Sequence, residues 1–236
     1  MKKYLTSFGG AVRGSNRHEE SFGIIRDYTP EVHRLFKSAE LYFDECLFYD
    51  NVWFENSDYC KNNPWTLNED SYGWTFKPCV VHDLMVKIDD GDIVMWTDSN
   101  HTFAQNPQKI FDFVLLDNCF IHDHWNVVYP NAHWTTRDMF QRMGCDEMRY
   151  WQARQMQVNI FAFRKCKWTM KFISEWKDYA LDYDTMIANE EKNLPGFRER
   201  RHEQSIFSIL AEKYKLPFHP YPIYMIPELD GIDARR

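Results

Sequence analysis

The chain has 236 residues, enough for one large domain that buries about three quarters of the surface its unfolded form exposes. A formal charge of -7 argues against non-specific nucleic-acid binding, which favours basic surfaces. An aromatic content of 17% excludes a disordered or fibrous chain and suits a protein whose rings stack on sugars or bases, although ordinary cores also use Phe and Trp. No C-x-x-C pair occurs among Cys46, Cys60, Cys79, Cys119, Cys145 and Cys166, so they read as reduced thiols of a reducing compartment. The opening MKKYLTSFGG lacks the apolar stretch of a secretory signal, and no apolar run approaches the ~20 residues of a membrane span. The expectation is a soluble, cytoplasmic protein without a transmembrane segment.

In chain order, Lys3 to Phe8 reads as a short strand running into Gly9-Gly10. Residues 30–40 read as a helix opened by Pro30. The segment ECLFYDNVWF, 45–54, reads as mostly extended. KPCVVHDLMVKI, 77–88, has apolar residues at 80, 81, 84, 85 and 88, which is helical spacing, with Pro78 in the first turn. Residues 92–97 form an apolar strand, and 107–116 a helix. NCFIH, 118–122, is a short strand. TTRDMFQRMG, 135–144, is a helix with a Thr cap and a terminal Gly. MQVNIFAFRK, 156–165, alternates as a strand does, with Gln157 and Asn159 on one face and Val158 and Ile160 on the other. Residues 167–181 read as an amphipathic helix carrying Trp168, Phe172, Ile173 and Trp176. The last helix, 202–214, buries Ile206, Phe207, Ile209 and Leu210. Strands alternating with helices imply an α/β fold, one domain with a mainly parallel sheet flanked by helices. In such sheets ligands collect beyond the carboxyl ends of the strands.

The strand at 92–97 runs straight into Asp98, Ser99, Asn100 and His101. A carboxylate and an amide oxygen two residues apart suit a divalent cation on a diphosphate, or else a polar turn that solvates a strand end. In YGWTFKP, 72–78, Lys77 stands at a helix start, where phosphate is favoured; Trp74 and Phe76 would flank a ring or pack as core. In FRERRHEQSIF, 197–207, three arginines precede a helix whose first turn holds His202, Glu203 and Gln204. Glu203 there is a general base if desolvated, or an ordinary acidic cap. Gln157 and Asn159 line a cavity or wet an edge strand. IHDHW, 121–125, offers His122, Asp123 and His124 to a hydrolytic metal, or forms a polar loop. No H-E-x-x-H, G-x-S-x-G, Walker A or G-x-G-x-x-G signature occurs.

Taken in order, YGWTFKPCVVHDLMVKIDDGDIVMWTDSNH, HWTTRDMF, MQVNIFAFRK and PGFRERRHEQSIFSILAEKY resemble the polysaccharide-type glycosyltransferases of GT-A fold found in bacteria and large DNA viruses. The likeness spans roughly residues 70–215, with a weaker match at YLTSFGGAVRGSNR. It implies a Rossmann-like GT-A domain over 1–236, with 1–104 as nucleotide-binding half and 105–236 as acceptor-binding half. It implies transfer of a hexosyl or pentosyl group from a UDP- or GDP-sugar to a glycan hydroxyl, as in polysaccharide biosynthesis. By resemblance, Thr6, Ser7 and Arg17 lie near the base and ribose, and Lys77 binds the diphosphate. Asp98, with Asn100, stands in the metal-binding motif, which calls for Mn2+ or Mg2+. Gln157, Asn159, His202 and Gln204 join the donor site, Asp138 faces a sugar, and Glu203 acts on the acceptor hydroxyl or steadies the reacting sugar. The sequence departs from the family in having one carboxylate where two often stand, and Glu203 where the family has Asp. Trp134 or Trp151 would stack on sugar rings. The alternatives are a metal-dependent hydrolase using His122, Asp123 and His124, and an inert sugar-binding protein of the same fold. The glycosyltransferase reading requires Lys77 and Asp98 to converge on one pocket at the carboxyl rim of the sheet.

Overall fold

The computed structural model describes residues 1–13, 25–67, 75–123, 129–187, 192–219 and 225–227. In chain order the strands and helices are β1 (Lys3–Phe8), β2 (Ala11–Arg13), β3 (Ile25–Asp27), α1 (Thr29–Ala39), β4 (Glu45–Tyr49), α2 (Asn51–Asn56) and α3 (Asp58–Lys61). Then come α4 (Phe76–Lys87), β5 (Ile93–Thr97), β6 (His101–Phe103), α5 (Gln108–Asp117), β7 (Cys119–Asp123), α6 (Arg137–Arg142) and α7 (Met148–Gln152). The chain continues through β8 (Met156–Arg164), α8 (Lys167–Ala180), α9 (Tyr183–Met186), α10 (His202–Tyr214) and β9 (Met225–Pro227).

The central sheet has the order β4-β1-β5-β8-β7. β1 pairs in parallel with β4 and β5, and β8 is antiparallel to both β5 and β7. Four of the five strands therefore run one way and β8 is reversed. Helices cover both faces. Against one face lies an apolar cluster holding Val80, Val81, Leu84, Met85, Phe161, Phe163, Phe172, Trp176 and Phe207; against the other lies one holding Leu5, Leu35, Met95, Ile110, Phe111 and Ile160. The helical spacing read in 77–88 holds, since all five of its apolar positions are buried. Phe207 shows where the aromatic content goes. Its ring centroid lies 4.9 Å from Trp176, 5.2 Å from Phe172 and 5.6 Å from Phe161. Each such ring contributes about 1.5–3 kcal/mol through burial alone. Trp96 and Trp176 likewise belong to the core and are closed to any ligand ring.

Two expectations need correction. The extended reading of 45–54 stops at Tyr49, because Asp50 accepts a hydrogen bond from Trp53 N at 2.8 Å and starts α2. Val158 and Ile160 do not share a face; they pack in opposite clusters. The cause is a register break. Cys119 and Phe120 pair with Phe163 and Ala162, but His122 and Asp123 pair with Gln157 and Met156. One residue of β7, Ile121, thus faces four of β8, Val158 to Phe161. The bulged strand changes phase, as bulges do beside functional sites. The cap and stop of α6 hold: the Thr136 hydroxyl accepts from Met139 N, and Gly144 has φ 64°.

Candidate active site

β5 is buried along its whole length and ends at Thr97. The polar cluster after it is a turn, with His101 N donating to Asp98 O at 3.2 Å before β6 begins. That turn leaves the Asp98 carboxylate at the carboxyl rim, its side chain 36% exposed. Two groups position it. Trp96 Nε1 donates to Asp98 Oδ1 at 2.8 Å, and Asp98 N donates to Asn159 O at 2.8 Å, extending the β5–β8 ladder.

Lys77 enters from the first turn of α4. Its ammonium lies 3.0 Å from Asp98 Oδ1 and 3.7 Å from Glu203 Oε1, and it donates to Val158 O at 2.9 Å. The face of Trp96 is 5.4 Å away. Val158 lies within the register break, where its carbonyl can turn to Lys77. Lys77 is 7% exposed, and its ammonium is held by the Val158 carbonyl and the Asp98 carboxylate, with the Glu203 carboxylate at ion-pair distance. Lys77 and Asp98 therefore meet in an ion pair; neither is among the described residues that line the cavity nearby, and a diphosphate meeting Lys77 must share it with two carboxylates.

Glu203 stands in the first turn of α10 and is 2% exposed. Its backbone is anchored from below by Trp176 Nε1, which donates to Glu203 O at 2.8 Å. The preceding residue, His202, is buried and takes a left-handed φ of 48°. That conformation costs a non-glycine residue on the order of 1 kcal/mol or more, and such strain concentrates at functional sites. Burial pushes the Glu203 carboxyl up to about 7, against the pull of Lys77 and with the repulsion of Asp98. Two carboxylates share one ammonium, so the fully buried one holds its proton into the neutral range. Glu203 Oε2 is buried without a hydrogen-bond partner.

Other unpaired polar atoms lie at the strand ends nearby. Ser7 Oγ, Thr75 Oγ1, Thr97 Oγ1 and Asn159 Oδ1 are buried and make no hydrogen bond. Ser7 lies near the end of β1, one residue past the Thr6↔Trp96 pair with β5, Thr75 precedes α4, and Asn159 faces the end of β5. Thr6 is less available, because its hydroxyl donates to Leu47 O at 3.1 Å. Beside this row is a cavity of about 210 Å³ lined by Tyr129, Trp134, Gln155, Gln157, Arg201 and Gln204. Gln157 lies at the start of β8, opposite His122 near the end of β7, so the cavity also opens at the carboxyl rim.

Neither a family model nor a curated protein matches this sequence. Among solved structures, the chain is similar to mouse xyloside xylosyltransferase 1 in its apo form, at 12% identity over 93% of this chain and 85% of that one, with a TM-score of 0.47. It is also similar to a glycosyltransferase involved in the glycosylation of the major capsid of PBCV-1, at 10% identity over 99% of this chain and 96% of that one, with a TM-score of 0.48.

The remaining expected residues divide clearly. Arg17, the Tyr72-Gly73-Trp74 block and His124 lie outside the described residues. Asp138 sits on α6, its carboxylate 3.5 Å from Arg142 Nε, and no contact among the described residues joins it to Lys77. Trp151 is engaged elsewhere, donating to Asp146 Oδ1 at 3.1 Å. His122 is wholly buried, and no group of three His, Cys, Asp or Glu side chains among the described residues is arranged to hold a metal. For a cation at Asp98, the donor set is thin. Oδ1 is committed to Lys77 and Trp96, while no hydrogen bond to Oδ2 is seen among the described residues and Asn100, two residues on, is exposed. Mg2+-type sites with one or two carboxylates complete their shell with substrate phosphates and water, and Asp98 fits that pattern and no richer one. Trp96 and Gln155 were not singled out from sequence. A Trp inside an apolar strand reads as core, and a Gln before a strand carries no pattern. Among the described residues, no helix is long and apolar enough to cross a membrane.

Proposed function

We propose that the chain transfers a glycosyl group, hexosyl or pentosyl, from a UDP- or GDP-type nucleotide-sugar to a hydroxyl of a glycan acceptor. The observation that carries this reading is the meeting of Lys77, Asp98 and Glu203 at the carboxyl rim, with Glu203 buried and its carboxyl poised near neutrality. A general base works best when its pKa lies near the working pH. Glu203 takes the acceptor proton if the anomeric centre inverts; if configuration is retained, its anion steadies the positively charged sugar. Lys77 acts through both carboxylates. It holds Asp98 facing solvent and moderates the charge on Glu203. Ser7, Thr75, Thr97 and Asn159 offer unpaired polar atoms to the donor, with His202 nearby, while Gln157 and Gln204, expected at the donor, line the adjoining cavity. Asp98 Oδ2 would be the ligand for Mn2+ or Mg2+, whose contribution when bound is to offset the negative charge of the departing diphosphate.

The test is a thermal-shift screen of UDP-, GDP- and dTDP-sugars, with and without manganese. A donor at 100 times its dissociation constant stabilises the fold by about 2.7 kcal/mol. For a chain of this length that is a rise of roughly 5–10 °C. Asp98→Ala is expected to abolish the manganese-dependent part and donor turnover. The hydrolase alternative predicts the reverse, with His122→Ala the more damaging change. If no nucleotide-sugar raises the melting temperature, the donor site is misassigned.

A further inference from the structure

The cavity at Tyr129, Trp134, Gln155, Gln157, Arg201 and Gln204 has a lining that selects among sugars. Its volume of about 210 Å³ falls below the roughly 300–1,000 Å³ of pockets that enclose drug-sized ligands, so it suits one ring rather than a nucleotide-sugar. Three of its six lining side chains are primary amides. An amide donates and accepts at once, as does a sugar hydroxyl.

Gln155 supplies the observation that points to a ligand. It is 4% exposed, yet neither its Oε1 nor its Nε2 has a hydrogen-bond partner. Trp134 Nε1 is likewise buried and unpaired. Buried polar groups in folded proteins are almost always satisfied, and exceptions mark places where a ligand or water completes the pairing. These three atoms belong to two side chains that line one small cavity, which places unmet hydrogen-bonding capacity in its wall.

Charge decides which sugar. Among the described residues of the lining, Arg201 is the charged one, and its Nη2 is 2.6 Å from Glu199 Oε1. Its guanidinium also lies over the Trp134 ring, 4.8 Å from the centroid, with Arg198 at 5.6 Å. The Arg201 guanidinium is therefore partly engaged by Glu199 and by the Trp134 ring, while the amides stay available to neutral hydroxyls. The Trp134 ring, expected to stack on sugars, carries these two cations, and its N–H is buried and unpaired.

We propose that this cavity binds a single neutral pyranose, recognised through its hydroxyls by Gln155, Gln157, Gln204 and the Trp134 N–H. That this ring belongs to the acceptor glycan rests on the glycosyl-transfer reading; that the ring binds does not. The experiment titrates the full chain with methyl glucoside, methyl galactoside, methyl xyloside and methyl glucuronide, in the absence of any donor. Binding is read from the indole N–H resonance of Trp134, assigned by its loss in Trp134→Phe. At least one neutral glycoside is expected to move that resonance, with glucuronide weaker by about tenfold or more. Gln155→Leu is expected to weaken the neutral glycoside by about tenfold or more, as a site built to bond hydroxyls loses its partner. Gln204→Leu, at a partly exposed position, serves if Gln155→Leu does not fold. Tighter binding of glucuronide, no response to any neutral glycoside, or full affinity in the folded Gln variants each overturns the proposal. A response to glycosides without stabilisation by any nucleotide-sugar leaves the ring site standing and removes glycosyl transfer. Stabilisation by nucleotide-sugars with no response to glycosides removes the ring site alone.

Discussion

Glu203 is buried where an acidic residue at a helix start would ordinarily be solvated, and this sets a pH dependence that can be signed. The folded carboxyl titrates at about 7 against an ordinary 4.5. Between those values the folded protein holds a proton that the unfolded chain has released, so stability falls as pH climbs through the window. Turnover needs the ionised carboxylate in either stereochemical course and is expected to rise through pH ~7. Glu203→Gln keeps the shape and removes the titration. Its stability relative to the parent is expected to grow between pH 5 and 8 by about 3 kcal/mol, while turnover is lost. Urea denaturation at several pH values measures the first effect and donor turnover the second. A stability difference that stays constant across that range would remove Glu203 as the buried titrating group. Lys77, Asp98 and Glu203 were legible in the sequence because charged residues at the ends of apolar elements stand out. The sharing of one ammonium by two carboxylates was not legible, since it depends on how α4, β5 and α10 meet.

At the level of elements, α10 is the piece that carries the site to the sheet. Its buried positions 206, 207, 209 and 210 could be read from spacing, and all are fully buried. Its polar attachments could not. Ser208 Oγ accepts from Met156 N at 2.9 Å and donates to Gln204 O at 2.7 Å, joining α10 to the first residue of β8. Ser205 Oγ donates to Trp134 O at 2.6 Å, joining the same helix to the cavity wall. Ser208→Ala leaves a buried backbone N–H without a partner, which costs about 1–3 kcal/mol. The urea midpoint is expected to drop with an unchanged slope. A midpoint equal to that of the parent would mean that Met156 N finds another acceptor and that α10 is not fixed to β8 at this point. The bulge in β8 escaped the sequence for a related reason. Alternation in MQVNIFAFRK looks regular in one strand alone, and the phase change exists only relative to β7.

Over the whole molecule, the division at 104/105 into a donor half and an acceptor half meets a sheet that crosses it. β5 of the first half pairs with β8 of the second through five consecutive positions, Ile93↔Arg164 to Thr97↔Ile160. α4 packs on α8, and one apolar cluster draws Val80, Leu84 and Trp96 from one side and Phe161, Trp176 and Phe207 from the other. The Lys77 ammonium reaches across the same seam to Val158 and Glu203. Separating the halves would bare both edges of that seam and leave Glu203 without its cation. The two stretches therefore share one sheet and one core. Calorimetry of the full chain is expected to show a single transition whose calorimetric and van't Hoff enthalpies agree, as in a two-state domain. A bound nucleotide-sugar should move that transition as one peak. A fragment of residues 1–104 should lack cooperative unfolding, because the hydrogen-bonding edge of β5 and the buried side of α4 lose their partners. Two resolved transitions, only one of them moved by the donor, would show instead that the halves fold apart and that the site assembles from independently stable pieces.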